Sequence, residues 1–362
     1  MLVGIIRFIL AISVVLAHAG PLLGNSLVGG QLAVQAFYII SGFYMALILN
    51  EKYVSGNRGY KIFIVNRALR LFPIYWFILF ATLLYSLAIG FNNNGAFFPL
   101  LDIYIHHFSE LGWLASGLLI FSNFFILFQD LILFLGVHID TGQLFFTSDF
   151  LNTSPILHKF VLIPQAWTLS LELLFYLIAP FIVRKKLMVI ISLLLISAFI
   201  KYTLHIWGLE KDPWSYRFFP AELMFFLLGT LAYRVIFIKI AGKRQYKILS
   251  LSMLTLLLSA TFFYNQIALP GKSALYLTLI FLTLPFAFTF TKNISLDRYI
   301  GELSYPIYIS HMLVLTVCYA LHLESLGTIS LFAVILSILL SIFMNETIGK
   351  RIERIRQSRI PG

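Results

Sequence analysis

The sequence is poor in charge. Asp, Glu, Lys and Arg make up 11 % of its 362 residues, and 15 acids face 26 bases. It holds one cysteine, Cys318, so no disulfide can form within the chain. It has no long polar linker, no low-complexity tract and no stretch with the composition of a soluble domain. These shortages exclude a disordered chain, a disulfide-stapled scaffold and an ordinary water-soluble enzyme. What fills the space is apolar: 60 % hydrophobic residues, 16 % aromatic, and a mean hydropathy of +0.92. A net charge of +11 can signal nucleic acid, but the bases here sit between apolar runs. That is the positive-inside pattern of a membrane protein, so no nucleic-acid partner is expected and the bilayer is.

Eleven apolar runs fall at 3–23, 31–50, 71–91, 111–135, 168–183, 187–207, 218–238, 248–265, 273–291, 303–322 and 327–346. Most approach the ~20 residues that a helix needs to cross a hydrocarbon core. Basic groups follow five of them. They are Lys52, Arg58, Lys61, Arg67 and Arg70; Arg184, Lys185 and Lys186; Lys239, Lys243, Arg244 and Lys247; Lys292 and Arg298; and Lys350, Arg351, Arg354, Arg356 and Arg359. Placing all five groups in the cytoplasm makes both termini cytoplasmic, which needs an even number of crossings. The run at 111–135 is the odd one, because Asn123 and Gln129-Asp130 interrupt it. It reads as a re-entrant or interfacial segment, covered by protein or water. The expected fold is an all-α polytopic helical membrane bundle of about ten transmembrane spans plus that segment. One transmembrane domain covers 1–349, and a short basic cytoplasmic tail covers 350–362.

The first run carries two residues that a lipid-facing helix avoids, Arg7 and His18. Eleven residues at 100° each give roughly 1100°, within about 20° of three full turns, so both share one stripe. Their separation along the axis is about 16 Å. A charged or ionisable group at such depth costs on the order of 3 kcal/mol on insertion scales, so that stripe should face protein or a water-filled path. Plainer readings exist: Arg7 snorkelling at the inner face, His18 satisfied in the interior, or Ala17-His18-Ala19 serving as a signal-peptide cleavage site. With span one running outward, His18 and Glu172 fall at similar depth in the outer half. A paired Glu–His can act as a base with its orienting partner. His311 falls near the middle of its span, and Arg67 and Arg70, at i and i+3, share a helix face at the inner mouth.

The residues then form an ordered series. It comprises Arg7-x10-His18, Phe37-Tyr-Ile-Ile-Ser-Gly-Phe43, Arg67-Ala-Leu-Arg70-Leu-Phe-Pro-Ile-Tyr75 and Ser122-Asn-Phe-Phe-Ile-Leu-Phe-Gln129. Trp167-Thr-Leu-Ser-Leu-Glu-Leu-Leu-Phe-Tyr176, Phe225-Phe-Leu-Leu-Gly229 and Gly301-Glu-Leu-Ser-Tyr-Pro-Ile-Tyr-Ile-Ser-His311 complete it. In this order, over nearly the whole chain, the series resembles the acyltransferase-3 family of integral membrane O-acyltransferases. The resemblance implies a ten-span core that transfers acyl groups, usually acetyl from cytoplasmic acetyl-CoA, to hydroxyls of cell-surface polysaccharides, lipid-linked glycans or small metabolites. Many relatives carry a fused extracytoplasmic hydrolase-like domain. This chain stops after its last span, so direct modification or a separate extracytoplasmic transferase is expected.

Carried over residue by residue, the family's roles make His18, Glu172 and Arg7 catalytic, and Arg67, Arg70 and Arg7 the holders of acyl-CoA. His18 is a base or a transient acyl carrier, Glu172 orients or stabilises its imidazole, and an Arg or Ser41 steadies an oxyanion. Ser41, Trp167, Ser170, Tyr176, Tyr305 and His311 are candidate substrate contacts. Against this stand close helix packing at Ser41-Gly42, interfacial belt positions for Trp167 and Tyr176, and a core hydrogen bond between Tyr305 and His311. Arg217 and Glu222 read as structural. No metal or prosthetic group is implied, and the expected location is a bacterial plasma (inner) membrane. The competing functions are a glycolipid or metabolite transporter or flippase, and a subunit that passes an acyl group to a separate transferase.

Overall fold

The computed structural model describes residues 3–53, 56–92, 99–241, 243–323 and 329–359. The start of the last apolar run at 327–328, residues 360–362 of the tail and the side chains of Arg58 and Arg244 lie outside that description. Backbone groups in lipid must be satisfied within the chain, and an apolar sequence meets that demand as helix. In chain order the helices are α1 (Val3–Ala19), α2 (Gly30–Glu51), α3 (Gly56–Asn92), α4 (Pro99–His107), α5 (Trp113–Phe125), α6 (Gln129–Ile132), α7 (Trp167–Ile182) and α8 (Leu187–Ile206). There follow α9 (Phe219–Leu231), α10 (Ile238–Ile240), α11 (Lys247–Phe262), α12 (Lys272–Thr291), α13 (Ser295–Ala320), α14 (Ile329–Met344) and α15 (Lys350–Ser358). Short π-helical stretches, Ala232–Phe237 and Asn345–Gly349, join α9 to α10 and α14 to α15.

Among the described residues, 8 helices are long and apolar enough to cross a membrane. Three shorter apolar helices, α1, α5 and α11, account for the remaining runs. Large side chains left bare on the outside, such as Phe91, Trp113 and Phe199, have no aqueous explanation. The protein is an all-α polytopic membrane protein.

The chain divides into two compact units: Met1–Arg70, Tyr176–Ala198 and Glu222–Gly362 form the first, and Leu71–Phe175 and Phe199–Ala221 the second. In the first unit α1 and α13 run parallel, packed through Ala11, Val15, Leu16, Leu303, Ile307 and Leu315. Their beginnings cross at Gly4 and Gly301, where a Cβ on Gly4 would collide with the Asp297 carbonyl oxygen. Asp297 is 4 % exposed, and its carboxylate accepts from the backbone N–H groups of Gly4 (3.0 Å) and Ile5 (3.1 Å). An acid from the start of one helix thus satisfies open N–H groups at the start of another, where the helix dipole also favours it. A second close crossing sets Gly42 of α2 against the Phe226 carbonyl of α9, and Gly229 of α9 against the Ile39 carbonyl, so the packing role weighed for Ser41-Gly42 is present at Gly42.

In the second unit the 111–135 run is not one helix. α5 stops after 13 residues, about 20 Å. Ile126 and Phe128 then take φ of 68° and 69°, and α6 begins at Gln129. Left-handed backbone at such residues costs of order 1–3 kcal/mol each, so the turn needs fixing. Gln129 does this: its side-chain amide donates to the Ser122 carbonyl oxygen (3.0 Å) and to the Tyr75 hydroxyl (3.1 Å). The chain continues into a hairpin, β1 (Leu135–Val137) antiparallel to β2 (Leu144–Phe146), with Gly136 opposite Phe145.

Candidate active site

His18 closes α1. It is exposed, and its Nδ1 lies 3.0 Å from the Val14 carbonyl oxygen one turn back. A carbonyl can only accept, so Nδ1 carries the proton and Nε2 of the neutral ring keeps its lone pair. The ring lies against that of His311 on α13, centroids 4.9 Å apart and tilted by 45°. His311 is fully buried and is anchored in the same way, by Nδ1 to the Tyr308 carbonyl oxygen at 2.6 Å. Its Nε2 has no hydrogen-bond partner among the described residues. The bond weighed between Tyr305 and His311 is therefore not formed; Tyr308's main chain takes that place, because an i−3 carbonyl is nearer on the helix. Tyr305 itself is half-buried.

The other end of α1 carries the arginines. Arg7, half-buried, sits one turn after the Asp297 cap, with its guanidinium over Gly301. Arg67 on α3 is 5 % exposed and lies over the rings of Phe63 (5.8 Å) and Tyr176 (5.9 Å). Cation–π contact of this kind holds a charge where water is scarce. Tyr176, expected as a substrate contact, thus packs on Arg67. Arg70 is half-buried; with Arg7, Arg298 and Asp297 it lies within electrostatic reach of Tyr44. The structure thus gathers Arg7, Arg67 and Arg70 at one end of the first unit, and His18 and His311 further along the same helix pair. Ser41 is buried on α2.

The remaining candidates belong to the second unit. Ser170 on α7 donates to Asp130 Oδ1 at 2.6 Å, and both are buried. Trp167 carries Arg217 on its face at 4.6 Å and Tyr216 at its edge. Arg217 is in turn clamped by both carboxylate oxygens of Asp212, at 2.6 and 2.7 Å. That pairing supports the structural reading of Arg217. Burial and the nearby Arg217 charge push the His158 imidazole down to about 3, so it stays neutral at physiological pH. Glu172 is half-buried on α7.

An acyltransferase domain of the acyltransferase-3 type matches residues 3–346, nearly the whole chain. The chain belongs to the acyltransferase-3 family. No curated protein and no solved structure matches it. Membership makes the protein a multi-pass membrane acyltransferase and sets the transporter reading aside.

Several residues that build this acyltransferase's site escape sequence reasoning. Asp297 acts on a helix 292 and 293 residues away, the Val14 carbonyl belongs to an ordinary valine, and Asn66 looks like filler beside Arg67. The last two carry no signal in the sequence. Asp297 gives a faint one, as an acid beside a basic group.

Proposed function

We propose that this acyltransferase takes an acyl group, acetyl in the first instance, from cytoplasmic acyl-CoA and places it on a hydroxyl of a cell-surface polysaccharide or lipid-linked glycan at a bacterial inner membrane. The observation that carries the reading is His18: an exposed imidazole with its tautomer fixed by Val14 and Nε2 left as a base, on the helix that also bears Arg7. Arg67, Arg70 and Arg7 hold the phosphates of the donor, for which the planar guanidinium fork is suited. About 16 Å of α1 then separates the phosphate end from the reacting end, a gap for the donor's pantetheine arm to bridge. His18 Nε2 takes the proton of the acceptor hydroxyl as its oxygen attacks the thioester carbonyl. The C–S bond breaks, and the leaving thiolate recovers the proton from His18. The Val14 carbonyl, which accepts from Nδ1–H, stabilises the imidazolium in between. Ser41 lies about 16 Å along α2 from Gly30, which packs on Ala17 beside His18, so it serves the donor at the arginine end and not the oxyanion. A separate extracytoplasmic transferase is one route by which the acyl group reaches a distant glycan.

The test is O-acetyl content. Wild type and His18→Ala are expressed in the native host lacking its own copy, and alkali-labile acetate on purified surface glycan is quantified by mass spectrometry. Acetate with wild type and none with a well-expressed variant is the expected result. Equal acetate in both removes His18 as the centre of the reaction. Acetate in neither, with acyl-CoA still consumed by wild type, moves the acceptor from glycan to a small molecule.

A further inference from the structure

We propose that Arg356, on the C-terminal helix α15, is a third phosphate-binding guanidinium of the acyl-CoA site, beside Arg67 and Arg70. The inference rests on the reading that Arg67 and Arg70 hold the donor's phosphates. The family match ends at residue 346, so α15 lies beyond the matched region.

The helix is docked. Asn66, fully buried next to Arg67, donates through Nδ2 to the Arg356 carbonyl oxygen at 3.2 Å and to the Tyr53 hydroxyl at 2.9 Å. That bond sets the Arg356 side chain, 15 % exposed, where the charges of Arg67 and Arg70 act on it directly. Arg356 Nη1 pairs with Glu353 Oε2 at 2.5 Å, and Glu353 Oε1 accepts from Gln357 at 3.0 Å. Arg356 Nε is buried with no hydrogen-bond partner among the described residues. Around them, Arg7 and Arg298 share the field of Arg70, and the acids in reach are Glu302, Glu353 and the capping Asp297. Guanidiniums therefore outnumber carboxylates around the buried Arg67 and the largely buried Arg356, where little water reaches to screen them.

Gathering like charges costs energy, and so does a buried N–H without an acceptor. Both costs fall when an anion with several acceptor oxygens enters. Arg356 carries its unmet donor within electrostatic reach of the buried Arg67, so one anion can serve both. A phospholipid headgroup offers similar oxygens; the burial of Arg67 between Phe63 and Tyr176 favours the soluble nucleotide phosphates of the donor.

The test measures CoA binding to the full chain in phosphatidylcholine nanodiscs by calorimetry, for wild type, Arg356→Gln, Arg356→Lys, Arg67→Gln and Arg351→Gln. Loss of one charge-assisted contact should raise the CoA Kd of Arg356→Gln about tenfold. Arg356→Lys, which keeps the charge and loses the fork, should weaken binding by less, and the exposed Arg351→Gln not at all. Unchanged melting without ligand shows that the variants fold; if Arg356→Gln does not, the lysine variant decides. A wild-type Kd in a folded Arg356→Gln overturns the proposal while leaving the donor reading standing. So does a variant that loses only retention of phosphatidylglycerol in mixed nanodiscs, which would make the cluster a lipid site. No CoA binding by wild type removes the donor reading, and this proposal with it.

Discussion

His18 and Asn123 show how two polar residues in recognised motifs carry opposite kinds of importance. His18 is exposed and makes one hydrogen bond to its own helix, so its removal leaves no buried group unmet. Asn123 is 6 % exposed and spends all of its polar atoms on the fold. Its amide donates to the carbonyl oxygens of Leu119 and Phe160 and to the Tyr104 hydroxyl, and its oxygen accepts from Leu162 N–H at 2.8 Å. Replacing it with alanine strands several buried partners, each worth about 1–3 kcal/mol. Asn123→Ala should therefore lower the melting temperature of the purified protein sharply and lose activity as the folded fraction falls. His18→Ala should melt within a degree or two of wild type while losing activity outright. Equal melting for both variants would show that the Asn123 network contributes nothing. Ser122-Asn-Phe-Phe-Ile-Leu-Phe-Gln129 is thus a motif that builds a turn, and Arg7-x10-His18 is the one proposed to present the reacting groups.

At the scale of elements, α1 matters because it carries both Arg7 and His18, and its seat on α13 positions both. That seat depends on Gly4, whose missing side chain lets the Asp297 carbonyl and the Gly301 backbone approach. A methyl group there would collide with the main-chain carbonyl of Asp297, which cannot swing aside as a flexible side-chain end could. Gly4→Ala should cost about 1–3 kcal/mol as an overpacked contact, weaken the Asp297 cap and shift Arg7 and His18 together. The readouts are thermal melting and acyl-CoA consumption, both lowered; a fully active, fully stable variant would show that the crossing tolerates a side chain. Helix positions themselves are legible in the sequence, because runs of apolar residues near the bilayer's thickness admit one solution. The break in 111–135 is legible too, since Asn123 and Gln129-Asp130 cannot face lipid, although its place at Ile126–Phe128 is not. What stays hidden is how elements distant in sequence meet. Nothing near residue 4 announces Asp297, and nothing in a basic tail announces that Asn66 will hold Arg356.

At the scale of the molecule, the basic groups that the sequence scatters come together in the first unit. Arg184 donates to the carbonyl oxygens of Leu49 and Tyr53, and Arg234 to those of Val183 and Lys185. Tyr53 meets Asn66, which meets Arg356, and Arg70 shares its surroundings with Arg7 and Arg298. Groups separated by hundreds of residues thus meet within the first unit, the clustering expected if those groups share the cytoplasmic side. The helix that fixes the sign of that side is α2: 22 residues, about 33 Å, enough to cross a ~30 Å hydrocarbon core. Its ends carry two exposed polar residues, Gln31 and Lys52. The native Cys318 is fully buried, which leaves an introduced cysteine as the reactive one. In intact cells a membrane-impermeant maleimide should label Gln31→Cys, and should label Lys52→Cys only after permeabilisation. The reverse pattern would invert the molecule, placing the arginines outside and His18 toward the cytoplasm, and cytoplasmic acyl-CoA could then not reach the cluster proposed to hold it.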